Sequence, residues 1–116
     1  PYYEYMQLKD SKYNQVVLNW YDPTSYIPRH TDCEAGMIKN HTISMLNINE
    51  HTDDTDRLFK LKSQKNSKHN NLYQSVSIVL RDGIVITMGG DTQETYLHGV
   101  YKGKHSRISF SCRQFN

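Results

Sequence analysis

Six short stretches of this chain alternate with period two, which leaves little freedom in what it can fold into. They are Gln15 to Tyr21 (QVVLNWY), Thr42 to Ile48 (TISMLNI), Ser75 to Leu80 (SVSIVL), Ile84 to Met88 (IVITM), Thr95 to Tyr101 (TYLHGVY) and Arg107 to Phe115 (RISFSCRQF). All are rich in Val, Ile, Tyr, Phe and Thr, the residues of half-buried strands. Six such runs in 116 residues, the length of one domain, predict a single all-β sandwich or barrel. Only Tyr3 to Lys12 reads as helix, a short N-terminal one. Arg81-Asp82-Gly83 predicts a hairpin turn between its flanking runs, because Asp-Gly accepts the positive φ angles such turns require.

One segment breaks the alternation. Residues 49–71 begin acidic (Glu50, Asp53, Asp54, Asp56) and then turn basic, with Arg57, Lys60, Lys62, Lys65 and Lys68 and no acid among them. The pattern predicts a charged insertion loop, either solvated or in contact with a polyanion. With 11% aromatic residues and a formal charge of +2 the chain is not of disordered composition. Its apolar runs fall far short of a membrane-spanning helix, so no membrane partner is expected. Two cysteines, Cys33 and Cys112, make no disulfide framework, and no secretory signal pattern opens the chain. An intracellular, reducing compartment, cytoplasm or nucleus, is the expectation.

Chemistry enters with His30-Thr31-Asp32 and the distant His98-Gly99. Two histidines and one carboxylate on one face of a metal are the ligand set of non-haem Fe(II) oxygenases, which leave positions open for cosubstrate and O2. Alone, that trio is common in polar chains. It is followed, however, by Arg107 and Arg113 in the spacing H-x8-R-x5-R. On a strand Arg107, Ser109, Ser111 and Arg113 share one face, and Ile108, Phe110 and Cys112 the other. Guanidinium groups flanked by hydroxyls suit a small dicarboxylate, which arginine grips with two parallel charge-assisted bonds. The competing reading is a solvent-facing edge strand. His41, His51, His69 and His105 lack partners at ligand spacing and read as surface histidines. Cys33 and Cys112 read as packed side chains, since neither has an evident base.

In order along the chain stand Asn19-Trp20-Tyr21-Asp22-Pro23, His30-Thr31-Asp32-x-Glu34 eleven residues on from Asn19, Met88-Gly89-Gly90-Asp91, His98-Gly99-Val100, and Arg107 to Arg113. Together they resemble the AlkB branch of the 2-oxoglutarate/Fe(II)-dependent dioxygenases over nearly the whole catalytic core. The resemblance implies a double-stranded β-helix, or jelly roll, with residues 1–116 forming one core. It implies that His30, Asp32 and His98 bind Fe(II), and that Arg107 pairs with the far carboxylate of 2-oxoglutarate. Asn19 and Tyr21 match the pair that contacts this cosubstrate from the facing strand, and Arg113 matches the second arginine. Ser109 and Ser111 stand where relatives often carry Asn and Thr. Glu34 falls where the family has an acidic residue near the target base.

The implied activity is oxidative demethylation of N-methylated bases in single-stranded RNA or DNA. It consumes O2, converts 2-oxoglutarate to succinate and releases formaldehyde. Only 18 residues precede Asn19, so the base-gripping lid of the family is expected to be truncated to residues 1–18, with Tyr2, Tyr3, Tyr5 and Tyr13 as stacking candidates. A core with so short an N-terminal part resembles the AlkB-like domains embedded in viral replication polyproteins, and a monomer or a domain of a larger polyprotein is expected. Two alternatives stay open. One is a protein or small-molecule hydroxylase on the same core; the other is a non-catalytic β-domain that binds single-stranded nucleic acid.

Overall fold

A computed structural model of the chain describes residues 13–32, 37, 42–63, 75–89, 92 and 96–115. The expected N-terminal helix, Tyr3 to Lys12, lies outside the described residues. Eight strands lie among the described residues: β1 (Gln15–Tyr21), β2 (Ile27–His30), β3 (Ile43–Asn49), β4 (Leu58–Ser63), β5 (Ser75–Val79), β6 (Val85–Met88), β7 (Tyr96–Val100) and β8 (Arg107–Arg113). They form two four-stranded antiparallel sheets, ordered β1-β8-β3-β6 and β2-β7-β4-β5. The chain crosses between the sheets at almost every step, and only β4 and β5 are sequential neighbours that pair. This is the jelly roll.

The six runs predicted from alternation are all strands, and the structure adds β2 and β4. The insertion loop expected over residues 49–71 is therefore corrected. Its middle is β4, an inner strand between β7 and β5. Phe59 and Leu61 point into the core while Lys60 and Lys62 alternate with them, so the strand hides its period behind two lysines. β2 escaped notice for a different reason. A register shift between Ile27 and His30 turns both inward although they are three positions apart, and such a bulge breaks period two.

The expected hairpin at Arg81-Asp82-Gly83 is also corrected. Gly83 does take φ +78°, and Ile84 N–H donates to Arg81 O at 3.3 Å. Yet β5 and β6 lie in different sheets, so the turn is a corner that carries the chain across the sandwich. It is fastened to β3 by Gly83 N–H to Asn47 O (2.8 Å) and by Asn49 N–H to Asp82 Oδ1 (2.8 Å).

The apolar core is drawn from both sheets: Ile43, Met45, Phe59, Leu80, Ile86, Met88 and Val100 are all buried. Each fully buried side chain of this kind contributes about 1.5–3 kcal/mol. β1 inverts the usual arrangement. Its outward row, Val16, Leu18 and Trp20, is apolar and exposed, Trp20 by 73%, while its inward row includes Asn19 and Tyr21. Tyr13 folds onto the outer face of this sheet, packs on Cys112 and shares a hydrogen bond with Ser44 Oγ at 2.9 Å.

Candidate functional site

Between the sheets lies a cavity of about 260 Å³. The β1–β8 register aligns Gln15 with Arg113, Val17 with Ser111, Asn19 with Ser109 and Tyr21 with Arg107. Because side chains alternate, these rows face the cavity together. The polar face of β8 is thus turned inward, against the edge-strand alternative: Arg107, Ser109 and Arg113 are buried and Ser111 half-buried.

The second sheet supplies the other wall. His30 on β2 and His98 on β7 are register partners, with ring centroids 4.3 Å apart. Asp32, just past β2, completes the group. His30 Nε2 lies 3.4 Å from Asp32 Oδ1 and His98 Nε2 3.4 Å from Asp32 Oδ2, and one donor atom from each residue falls within 4.8 Å of the others. Burial acts to raise the Asp32 carboxyl, but its bond with His98 and the charges of His98, His30 and Arg113 outweigh this and hold it below the ordinary carboxylate value.

Local backbone explains how the trio forms. His30 Nδ1 lies 2.9 Å from Pro28 O, and since a carbonyl only accepts, Nδ1 donates there and Nε2 is the ring atom left to face Asp32. Nε2 faces a carboxylate oxygen at 3.4 Å, a position that suits a shared proton or a metal ion. The donor set therefore fits a divalent metal. His98 is steadied by Phe59, whose ring stacks at 5.7 Å. Its Nδ1 is buried without a hydrogen-bond partner, a departure from the acceptor that usually backs a metal-binding imidazole. Gly99 lets β2 approach: a Cβ there would sit 2.8 Å from Ile27 O and 3.1 Å from Arg29 N.

At the other end of the cavity stands Arg107, 2% exposed. Its Nε–H donates to Asn47 Oδ1 at 2.6 Å, Nη2 reaches Met45 Sδ at 3.6 Å, and its guanidinium lies 4.4 Å over the Tyr21 ring. Nη1 is buried with no partner. Burial pulls its pKa down to about 10, against partial support from Tyr21 and with a further push from Arg57. A buried cation that no carboxylate among the described residues neutralises is costly, and an anionic ligand would relieve that cost. Arg113, nearer the trio, donates from Nε to Gln15 Oε1 at 2.9 Å. Glu34 lies outside the described residues.

Asn47 and Asn49 escaped the sequence reading. Fully buried Asn47 donates from Nδ2 to Asn49 Oδ1 (2.8 Å) and Arg81 O (3.0 Å), which aims its Oδ1 at Arg107. The available signal was two asparagines on the inward row of an apolar strand.

Arg57, grouped by sequence with the basic run, is 2% exposed. It donates to four backbone carbonyls, those of Ser25 (2.7 Å), Asp22 (2.9 Å), Tyr101 (3.1 Å) and His105 (3.1 Å). It is a clamp on the connections and is withdrawn from any phosphate-binding surface. Lys65 and Lys68 lie outside the described residues. His51 and His105, expected to stand alone, are brought together with Glu50.

No protein-family model matches this chain, and no curated protein matches it by sequence. Its fold is similar to that of a prolyl-4-hydroxylase from Pseudomonas putida, with TM-score 0.60 and 14% identity over 87% of this chain and 50% of that one. It is also similar to the capsular polysaccharide assembling protein CapF of Staphylococcus aureus (TM-score 0.56, 12% identity, 90% of this chain and 25% of that one). A third likeness is to dTDP-6-deoxy-D-glucose-3,5-epimerase RmlC of Legionella pneumophila (TM-score 0.51, 11% identity, 99% and 55%). At these identities the likeness is one of fold. The chain spans about half the length of the prolyl hydroxylase and the epimerase. Among the described residues no helix is long and apolar enough to cross a membrane.

Proposed function

We propose that this chain is an Fe(II)/2-oxoglutarate-dependent dioxygenase of the AlkB kind, which oxidatively demethylates N-methylated bases in single-stranded RNA or DNA. One observation carries the reading. A two-histidine, one-carboxylate trio and a buried arginine with an unpartnered N–H face the same cavity. A metal and a dicarboxylate answer those two needs at once.

His30, Asp32 and His98 would hold the iron, which supplies the coupled oxidation of 2-oxoglutarate and substrate by O2. The chain's own groups do the positioning. Pro28 O orients the His30 ring and Phe59 steadies the His98 ring. Arg107, oriented by Asn47 and Tyr21, binds the far carboxylate of the cosubstrate, while Asn19, Ser109, Ser111 and Arg113 line its path toward the metal. Ile43, Met45, Met88 and Val100 keep that part of the cavity dry. Glu34 is assigned to the base. The prolyl-4-hydroxylase among the neighbours favours a second reading, hydroxylation of a protein or small molecule on the same core.

The test supplies Fe(II) and 2-oxoglutarate together with oligonucleotides bearing single methylated bases, or with proline-containing peptides. Formaldehyde release with the oligonucleotides supports demethylation. Succinate release with peptides alone moves the substrate to the second reading, and no succinate under any condition overturns the dioxygenase.

A further inference from the structure

Outside the cavity, the segment after β3 and the segment before β8 bring Glu50, His51 and His105 together, with one donor atom from each inside a 4.8 Å set. The His51 and His105 ring centroids are 3.9 Å apart, the planes tilted by 34°, and His51 Nε2 lies 4.0 Å from Glu50 Oε1. The two segments are fastened to each other beneath these side chains. Glu50 N–H donates to Ser106 O (3.0 Å), Ser106 N–H returns a bond to Glu50 Oε1 (3.2 Å), and Arg57 holds His105 O (3.1 Å). The carboxylate is aimed, and the backbones of both histidine segments are fixed, before any ion arrives.

Charges of both signs surround the cluster, Arg57 among them. Asp53, Asp54 and Asp56 follow in the same segment. Of the nearby lysines, Lys104 is 3.9 Å from Asp56 and Lys102 lies over the Tyr26 ring at 5.2 Å. Two imidazoles and one carboxylate at a solvent-open position suit a borderline-soft divalent ion that accepts water as its fourth ligand.

We propose that Glu50, His51 and His105 form a second metal site, of the zinc class, which ties the β3–β4 connection to the β7–β8 connection. The site shares no residue with the iron trio and stands whether or not the dioxygenase reading does. Its ligands are half-buried or exposed, so their replacement leaves the core intact.

The experiment counts zinc. Metal-stripped wild-type chain and a His51→Ala/His105→Ala double variant are titrated with ZnCl2 by calorimetry, and imidazole signals are followed by NMR. The expected result is one equivalent fewer in the double variant, with the His51 and His105 signals shifting at the wild-type step that is lost. A His98→Ala chain should keep that step. If the double variant takes up as many equivalents as the wild type, the second site does not exist. Should the wild type bind one equivalent that the double variant loses, the site stands and it is the cavity trio that fails to take zinc.

Discussion

Asn47 Oδ1 accepts the Arg107 Nε–H at 2.6 Å, and both side chains are buried. The amide is itself held from behind by bonds to Asn49 and Arg81, so Arg107 reaches the cavity in one orientation. Replacing Asn47 with Leu leaves a buried guanidinium N–H unpaired, at a cost of about 1–3 kcal/mol. The apparent KM for 2-oxoglutarate should rise about 10-fold or more, with a smaller change in kcat. Thermal unfolding and cosubstrate kinetics check the two effects, and an unchanged KM would detach Asn47 from cosubstrate binding.

Arg107→Met removes an uncompensated buried charge, so the ligand-free variant should be at least as stable as the parent. It should also lose any rise in Tm on adding 2-oxoglutarate. A saturated parent at one hundred times Kd gains about 2.7 kcal/mol. Arg107→Lys keeps the charge but not the two-pronged contact, and is expected to raise KM. A full Tm response in Arg107→Met would move the carboxylate anchor, with Arg113 next in line.

His98→Ala should weaken Fe(II) binding by more than about 100-fold, since loss of even a group that merely backs a ligand costs roughly 10–100-fold. Succinate release should disappear with it. Iron titration monitored by Trp20 fluorescence, alongside a turnover assay, separates the two losses; parent-level affinity would remove His98 from the ligand set.

Gly99→Ala and Gly83→Ala should part company. At Gly99 a methyl group meets β2 backbone at 2.8 Å, which costs about 1–3 kcal/mol and pushes His30 from His98. At Gly83 nothing lies within 4 Å, and the penalty is the φ of +78° alone, about 1–2 kcal/mol. Both should lower Tm, but only Gly99→Ala should lower iron affinity. Equal iron affinities would show that the β2–β7 contact does not set the site.

Arg57→Gln is expected to cost about 1–3 kcal/mol, because four part-buried carbonyls lose their donor. It should leave the salt dependence of oligonucleotide binding unchanged. Lys60→Gln/Lys62→Gln should do the reverse, lowering that slope by up to about two units with little loss of Tm. A flat response in the lysine pair would show that Lys60 and Lys62 do not meet the oligonucleotide.

What was legible in the sequence followed from period two. Alternation marked β1, β3 and β5 to β8, and the H-x8-R-x5-R spacing singled out the β8 face that lines the cavity. β2 was hidden by the bulge that turns both Ile27 and His30 inward, and β4 by lysines between its core residues. The meeting of Glu50 and His51 with His105 depends on a loop pairing that no spacing encodes. Arg57 misled because a charge run suggests solvent, whereas four carbonyls from separate connections converge on its guanidinium. Polarity also ran opposite to the usual rule: the hydrophilic rows of β1 and β8 are inside because they line a cavity.

β8 lies between β1 and β3 in its sheet, and this has a kinetic meaning. Seven of the described strands precede this inner strand in the chain, and its partners stand far back along it. Chain closure of that kind is slow, on the order of milliseconds to seconds. Until it happens β1 has no neighbour, and Arg107 and Arg113 have no cavity to enter. Sheet completion and the arrival of both arginines are one event, so a ribosome-bound chain that has not yet released residues 107–113 should be unable to retain 2-oxoglutarate.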